Sequence, residues 1–258
     1  MITLFRRLRQ RLLSENKFSK YLIYAIGEII LVVIGILIAL QINNWNENRK
    51  LQQKEVQILK EIRSDLFQTK KDIFRTVEYH KKLVSQTQFL LNAIYNKVSY
   101  SDSIYRAFAD SGYDSKIIPK SSSFENLKTI GLNAISNDSL RTAITTIFQL
   151  SFSRLTNDFQ EDNSEFDISN MLYPYQQKYF EIDFSNFVMQ PRKHSDSLKL
   201  FKLKIANYHQ FLNDTELFKI IQLSMYTRSN LIDSQIEVID DIDTVVEQIE
   251  NELEKKAR

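Results

Sequence analysis

The strongest hydrophobic feature of the chain is an apolar run of 22 residues, from Tyr21 to Ile42, that is broken by one charge, Glu28. About 20 apolar residues, each rising 1.5 Å along a helix, cross the hydrocarbon core of a bilayer. A cleavable signal peptide has a shorter core of roughly 7 to 15 residues and a small-residue cleavage site, which this exit sequence lacks. The run predicts an uncleaved signal anchor: a transmembrane helix over residues 21–42, with residues 1–20 and 43–258 on opposite sides.

Beyond the anchor, apolar residues recur at helical spacing from Leu59 to about residue 98. No helix-breaking residue separates this stripe from the membrane segment. The pattern predicts one long helix, or two with a slight kink near Asn43 and Asn44. Glycine and proline are also rare in residues 43–258, whereas a β-sheet protein needs such residues in its many turns.

The remaining helices are predicted from their start and stop signals. Gly131 suits a left-handed C-terminal cap, and Asn137 or Asp138 can cap the helix that restarts after it. Helix then resumes to about Tyr173, is broken at Pro174 and is followed by an aromatic segment. A further helix is predicted over Ser197 to Phe211, and a last long one, capped by Asp214, over Thr215 to about Lys255. The fold class predicted is all-α, with the transmembrane helix continuing into the long helix of an elongated bundle.

The charges that flank the anchor predict its orientation. Residues 1–20 carry six basic side chains and one acidic one, so the positive-inside rule places the N-terminus in the cytoplasm and the bulk of the chain in the periplasm or outside the cell. The tail is either an amphipathic helix in the membrane interface or simply a charge cluster that sets topology. The anchors predicted to contact the two membrane interfaces are Arg6, Arg7, Arg9, Arg11, Tyr21, Tyr24 and Trp45.

Charge also bears on partners and on helix packing. Residues 43–258 hold 28 basic and 30 acidic side chains, a balance that does not favour nucleic acid, and the basic tail is better suited to anionic lipid. Residues 49–82 hold ten basic and five acidic side chains, whereas residues 229–254 hold nine acidic and none basic. Opposite signs predict that the first and last helices are neighbours. The alternative is that the acidic block is a solvated face.

The sequence contains no motif for catalysis, cofactor binding or metal binding. Metal binding by the acidic residues 240–243 has little support, and the run DNSEFD lacks the glycine of an EF-hand loop. The chain has no cysteine, which excludes disulfides and thiolate metal sites. His80 falls on the apolar stripe of the first helix, where a hydrogen-bonded core residue is expected rather than a catalytic or sensing one. We therefore expect no cofactor and no enzymatic activity.

Tyrosines surround Pro174 in the sequence YPYQQKYF. Aromatic residues in a helical bundle mostly fill its core. The alternative is that Tyr173, Tyr175 and Tyr179 line a ligand pocket.

Glu28 is a costly residue at its position, because an acidic group near the middle of a membrane helix costs about 2.5 to 3.5 kcal/mol. Gly35 and Ala39 follow it by seven and eleven residues, so the three share a helix face, and Gly35 and Ala39 form a small-xxx-small pair. This face is predicted to bind a second copy or another membrane protein, with Glu28 hydrogen-bonded across the contact. The alternative is that Glu28 is protonated or reaches the cytoplasmic interface.

Residues 12–50, LLSENKFSKYLIYAIGEIILVVIGILIALQINNWNENRK, resemble the N-terminal hallmark of an uncharacterised single-pass membrane family of Gram-negative bacteria, domain of unknown function 6090. Residues 124–148 are similar to a second stretch of the family, of the form G-L-x-x-I-x-N-x-x-L-R. The resemblance implies an inner-membrane protein with a helical exported domain, and it brings no catalytic residues.

Together these patterns favour an interaction or scaffold protein of the cell envelope, acting through its membrane helix and its bundle. The alternative is a ligand-sensing bundle that signals through a membrane partner, since about 20 residues of tail hold no output domain. An enzyme is the least favoured class.

Overall fold

The computed structural model of the protein describes residues 18–156, 167–192 and 195–257, with side chains described for residues 26–156, 167–185 and 202–257. Contacts divide the chain into two units, Met1–Gln57 and Ile58–Arg258. Of the predicted amphipathic tail, residues 1–20, residues 1–17 lie outside the described residues.

The first helix, α1, is described from Phe18 to Tyr95. It continues through Asn43 and Asn44, so the prediction of one long helix is confirmed. Every side chain from residue 26 to residue 54 is exposed, including the whole apolar run from Ile26 onward. Within the described residues, this is the one helix that is long and apolar enough to cross a membrane.

Helix α1 ends in a left-handed turn. Lys97 has a φ of 51°, and the N–H of Val98 donates to the carbonyl of Ala93 at 3.0 Å, which satisfies a carbonyl that the helix end leaves open. Six more α-helices follow in the described chain: α2 (Asp102–Ser111), α3 (Ser122–Ile130), α4 (Asp138–Thr146), α5 (Phe152–Thr156), α6 (Ile168–Tyr179) and α7 (Tyr208–Leu212). The last helix is α8 (Thr215–Ala257), and shorter turns are a 3₁₀ helix (Leu132–Ala134) and a π-helix (Ile147–Ser151).

The predicted stop and restart after α3 is confirmed. Gly131 has a φ of 107°, a conformation that disfavours any side chain, although its ψ of 132° lies outside the left-handed helical region that we expected. Asn137 caps α4, since its side-chain oxygen accepts from the N–H of Leu140 at 3.2 Å.

Two predictions about residues 174–211 are wrong. The helix predicted over Ser197 to Phe211 is instead strand β2 (Ser195–Ile205), which pairs antiparallel with β1 (Phe180–Arg192), and only the short α7 follows. Pro174 does not break a helix but lies inside α6. The buried side chains of that helix explain why it tolerates the proline: Ile168, Met171, Leu172 and Tyr179.

Two hydrophobic clusters form the core of the second unit. The first joins α1 to α8 and to the α3–α5 segment, through residues such as Leu59, Ile62, Ile144 and Ile242. The second joins the end of α1 to α2, α6, α7 and the start of α8, through residues such as Leu90, Phe108, Leu172, Phe211 and Leu217.

Helices α1 and α8 run antiparallel along the first cluster. Arg63 Nη1 lies 3.6 Å from Glu250 Oε1, and Lys70 pairs with Asp243 one heptad further along α1. The prediction that the basic and acidic blocks bring the first and last helices together is therefore confirmed.

Candidate functional site

The predicted membrane face lies on α1. Glu28, Gly35 and Ala39 are all exposed, and a Cβ built at Gly35 meets no atom within 4 Å. At 100° per residue, the three positions fall within about 40° of one another around the helix. The three exposed positions thus share one side of α1, and contact of this side with another helix stays a prediction.

Only some of the residues predicted to anchor the helix at the membrane interfaces belong to the described part of the chain. Arg6, Arg7, Arg9 and Arg11 lie outside it, and Tyr21 and Tyr24 belong to α1 by their backbone. The side chain of Trp45 is 65% exposed. Its position on a bare stretch of α1 suits contact with lipid head groups, which also stays a prediction.

The three tyrosines near Pro174 occupy different environments. Tyr179 is buried, and its hydroxyl donates to Asp214 Oδ2 at 2.6 Å. Tyr175 is half-buried and packs on the second core cluster. Tyr173 is 59% exposed and lines a cavity. Of the three, Tyr173 lines this cavity, while Tyr175 and Tyr179 contribute to packing.

That cavity has a volume of about 530 Å³ and opens between α2, α6 and the strands β1 and β2. Its wall is fixed by side chains that bond to the end of α2: Ser169 Oγ donates to the carbonyl of Gly112 at 2.9 Å, and Gln176 Nε2 donates to that of Phe108 at 3.0 Å. The residues that line it carry no charged side chain: Tyr105, Ala109, Gly112, Tyr113, Ser169, Asn170, Tyr173, Gln176, Phe180 and Leu203.

Sequence reasoning missed Tyr105 and Tyr113. They lie some 60 residues before Tyr173 and reach the same cavity only because α2 packs against α6. Such a long-range contact leaves no signal in local spacing.

A buried arginine lies behind the turn that ends α2. Arg228 is completely buried, and its Nη2 donates to the carbonyls of Ser111, at 3.1 Å, and Tyr113. Its Nε and Nη1 have no hydrogen-bond partner among the described residues. Burial lowers the pKa of the guanidinium, and the carboxylate of Asp114 opposes that shift. Arg228 therefore holds the turn that carries Tyr113 into the cavity wall.

His80 lies on the same side of the core. It is completely buried, as predicted, and its Nε2 lies 3.5 Å from Asp114 Oδ1. Neither ring nitrogen has a hydrogen-bond partner in the described chain, so the expected hydrogen bond is not found. Burial lowers the pKa of His80, Asp114 raises it, and Arg228 lowers it further, so the ring is neutral at pH 7.

The acidic residues near the end of α8 have separate roles. Asp241 accepts from Ser151 Oγ at 2.7 Å, Asp243 pairs with Lys70, and Asp240 is exposed. Over residues 18–156, 167–192 and 195–257, no group of three or more His, Asp or Glu side chains could hold a metal ion. Most of DNSEFD lies outside the described residues, and its last residue, Asp167, caps α6.

A sequence model of the family DUF6090 matches residues 28–183, which is more than half of the chain. The chain belongs to DUF6090, a family of unknown function. The match contains residues 124–148 and, of the first stretch, residues 28–50, so the resemblance to this family is confirmed. No curated protein and no solved structure matches the chain.

Proposed function

We propose that this DUF6090 protein is a membrane-anchored scaffold of the cell envelope. It acts by binding rather than by catalysis. Binding takes place through the Glu28, Gly35 and Ala39 face of α1 and through the surface of the second unit, Ile58–Arg258, which we call the helical unit. The observation that carries the proposal is the bare stretch of α1: its apolar side chains contact lipid or another helix, since no described part of the chain covers them. The partner is a second copy or another membrane protein.

The proposed topology places residues 1–20 in the cytoplasm, residues 21–42 in the inner membrane and residues 43–258 in the periplasm. It is supported by the six basic residues that precede the apolar run. The basic tail then contacts anionic lipid, and the exported unit, with a slight acidic excess, binds no nucleic acid.

The absence of cysteine allows a direct test of this topology. In intact spheroplasts, we expect a membrane-impermeant maleimide to label Thr129→Cys, on the exposed side of α3, and to leave Ser14→Cys unlabelled until the cells are lysed. Labelling of Ser14→Cys alone in intact spheroplasts would show the opposite orientation.

The cavity beside Tyr173 supports a second candidate function, ligand sensing. Its lining of phenol, hydroxyl and amide groups with no charged side chain suits an uncharged polar ring, such as that of a neutral sugar. A bound ligand would stiffen the contact between α2 and α6.

We expect at least one sugar from a panel of neutral mono- and disaccharides to raise the thermal unfolding midpoint of the full chain in detergent. At a concentration of about 100 times its dissociation constant, a ligand adds about 2.7 kcal/mol of stability. Tyr173→Ala should abolish the shift, whereas Tyr226→Ala, which removes another exposed tyrosine, should preserve it. A panel without any shift, or an equal shift in Tyr173→Ala, would reject this second function.

A further inference from the structure

An exposed stripe of aromatic and basic residues runs along the outer side of α1. Lys60, Phe67, Phe74 and Lys81 recur every seven residues, and Lys71 lies between the two phenylalanines. All five side chains are exposed, and the rings of Phe67 and Phe74 are 67% and 48% exposed. Residues seven apart lie on one helix face. We call this set the aromatic–basic stripe.

A matching stripe of opposite charge runs along α8. Asp233, Asp240, Glu247 and Glu254 also recur every seven residues, and all four are exposed. None of them has an ion-pair partner in the part of the chain that the structure describes. Ile236, 39% exposed, lies beside them. We call the four acidic residues the acidic stripe.

The ion pairs Arg63–Glu250 and Lys70–Asp243 mark the line along which α1 and α8 meet. At 100° per residue, the stripe residues next to these pairs lie about 40° to 60° further around each helix than the pairs, in the direction away from the core. Because the helices are antiparallel, these two rotations lead to the same outer side of the helix pair. The two stripes therefore run side by side on one surface.

The two stripes also match in height. Arg63 lies opposite Glu250, and Lys70, seven residues later, lies opposite Asp243, seven residues earlier. A residue of α1 and a residue of α8 therefore lie at the same height when their residue numbers add up to about the same total as in these two pairs. The levels so defined pair Lys60 with Glu254, Phe67 with Glu247, Phe74 with Asp240, and Lys81 with Asp233.

We propose that this surface is an interface between two copies of the chain, in which the aromatic–basic stripe of one copy packs on the acidic stripe of the other. A two-fold axis parallel to the helices places α1 of each copy over α8 of its partner. Such a rotation does not shift residues along the axis, so the heights that match within one chain also match between two chains.

The chemistry of the paired levels supports this arrangement. Lysines meet carboxylates at both ends of the stripes, and the two phenylalanine rings lie between them, where they can cover the aliphatic parts of the acidic side chains and Ile236. Lys81 also contacts Glu78 on its own helix, at 2.9 Å, and can exchange that exposed partner at little cost. Because each stripe is complementary to the other stripe of the same chain, the partner indicated is a second copy rather than an unrelated protein.

With the two-fold axis along the helices, the part of α1 from Ile58 onward runs in the same direction in both copies. The interface rests on the proposed scaffold function in its self-associating form, and it adds a second contact that is separate from the Glu28, Gly35 and Ala39 face.

The test uses disulfide formation between two differently tagged full-length copies in native membranes, because the natural chain contributes no cysteine. Phe67→Cys in one copy and Glu247→Cys in the other should give a mixed-tag disulfide dimer on oxidation. Gln222→Cys, an exposed position on α8 that lies 25 residues away from Glu247, is the control and should give none with Phe67→Cys. Absence of the Phe67–Glu247 crosslink, or an equal yield with Gln222→Cys, would overturn the interface.

Charge reversal then tests the complementarity. Lys60→Glu with Lys81→Glu in the first copy should lower the crosslink yield at least tenfold, and Glu254→Lys with Asp233→Lys in the second copy should restore it. Lys219→Glu, an exposed lysine outside both stripes, should leave the yield unchanged. A crosslink that persists after the first reversal would also overturn the interface.

The outcome is distinguishable from that of the membrane face, which is tested separately by photocrosslinking from a photoreactive residue in place of Ile42, on the same face of α1 as Glu28. Loss of the Phe67–Glu247 crosslink with the membrane adduct intact rejects this interface and leaves the scaffold function standing. Loss of both rejects both.

Discussion

Replacement of Asp214 by alanine is expected to lower the free energy of unfolding of the helical unit by about 2 to 4 kcal/mol. Asp214 Oδ1 accepts from the N–H of Leu217 at 3.0 Å and so caps α8, while Oδ2 accepts from Lys178 Nζ at 2.7 Å and from the Tyr179 hydroxyl at 2.6 Å. One carboxylate thus joins the end of α6 to the start of α8. Its loss leaves the buried hydroxyl of Tyr179 without its acceptor.

The measurement is urea unfolding of the full chain in detergent, followed by far-ultraviolet circular dichroism. Glu216→Ala is the matched control, because Glu216 lies in the first turn of the same helix but makes only an exposed pair with Lys219. That variant should lose less than about 1 kcal/mol. Equal losses in the two variants would show that Asp214 does not join the helices in the way described.

The same carboxylate should make stability depend on pH. Burial acts to raise the pKa of Asp214, but the hydrogen bonds from Leu217, Lys178 and Tyr179 outweigh burial and lower the pKa to about 2. Since the pKa of an unfolded aspartate is about 3.9, the carboxylate contributes its stability above about pH 4. That contribution, about 1 to 2 kcal/mol after solvent screening, is lost as the pH falls toward 2, and Asp214→Asn should remove this part of the pH dependence.

Several parts of the fold follow from local chemistry and could be predicted from the sequence. The continuous apolar stripe with no breaker predicts α1, and the backbone demands of Gly131 and Asn137 predict the stop after α3 and the start of α4. Opposite charge blocks predict the pairing of α1 with α8. In each case the signal is contained in one helix or one turn.

The hairpin shows where a helical interpretation failed. Residues 202–205, KLKI, alternate lysine with apolar side chains, and this period of two is that of a half-buried strand. Lys202 and Lys204 form ion pairs with Asp102 and Glu181, respectively, while Ile205 is buried. The alternation was present in the sequence, but the bundle expected around it favoured a helix.

The candidate sites could be predicted less well than the fold. Tyr179 and Tyr173 are six residues apart, yet one is buried beside Asp214 and the other lines a cavity, because a helix turns neighbouring positions to different faces. Arg228 leaves a local signal, since it lies between the buried Ser224 and Ile232 on the apolar stripe of α8. The carbonyl groups that it binds lie more than 100 residues earlier, and they leave no such local signal.

The second large effect concerns the membrane face. Gly35→Leu places a bulky side chain where a neighbouring helix must approach closely, and Glu28→Leu removes the polar group proposed to bond across the contact. Each is expected to lower association through this face about tenfold, which corresponds to about 1.4 kcal/mol. Gly27→Leu is the matched control, because Gly27 also faces open space but lies about 100° around the helix from Glu28.

The measurement that tests the scaffold function most directly is in-cell photocrosslinking from residue 42, with a photoreactive residue in place of Ile42 on the same face of α1. The function predicts one adduct, which has the size either of two copies of the chain or of one copy joined to a different membrane protein. Its yield should be high in the otherwise unaltered chain and in Gly27→Leu, and about tenfold lower in Gly35→Leu and Glu28→Leu. An adduct equally strong in all four proteins, or none in any, would contradict it.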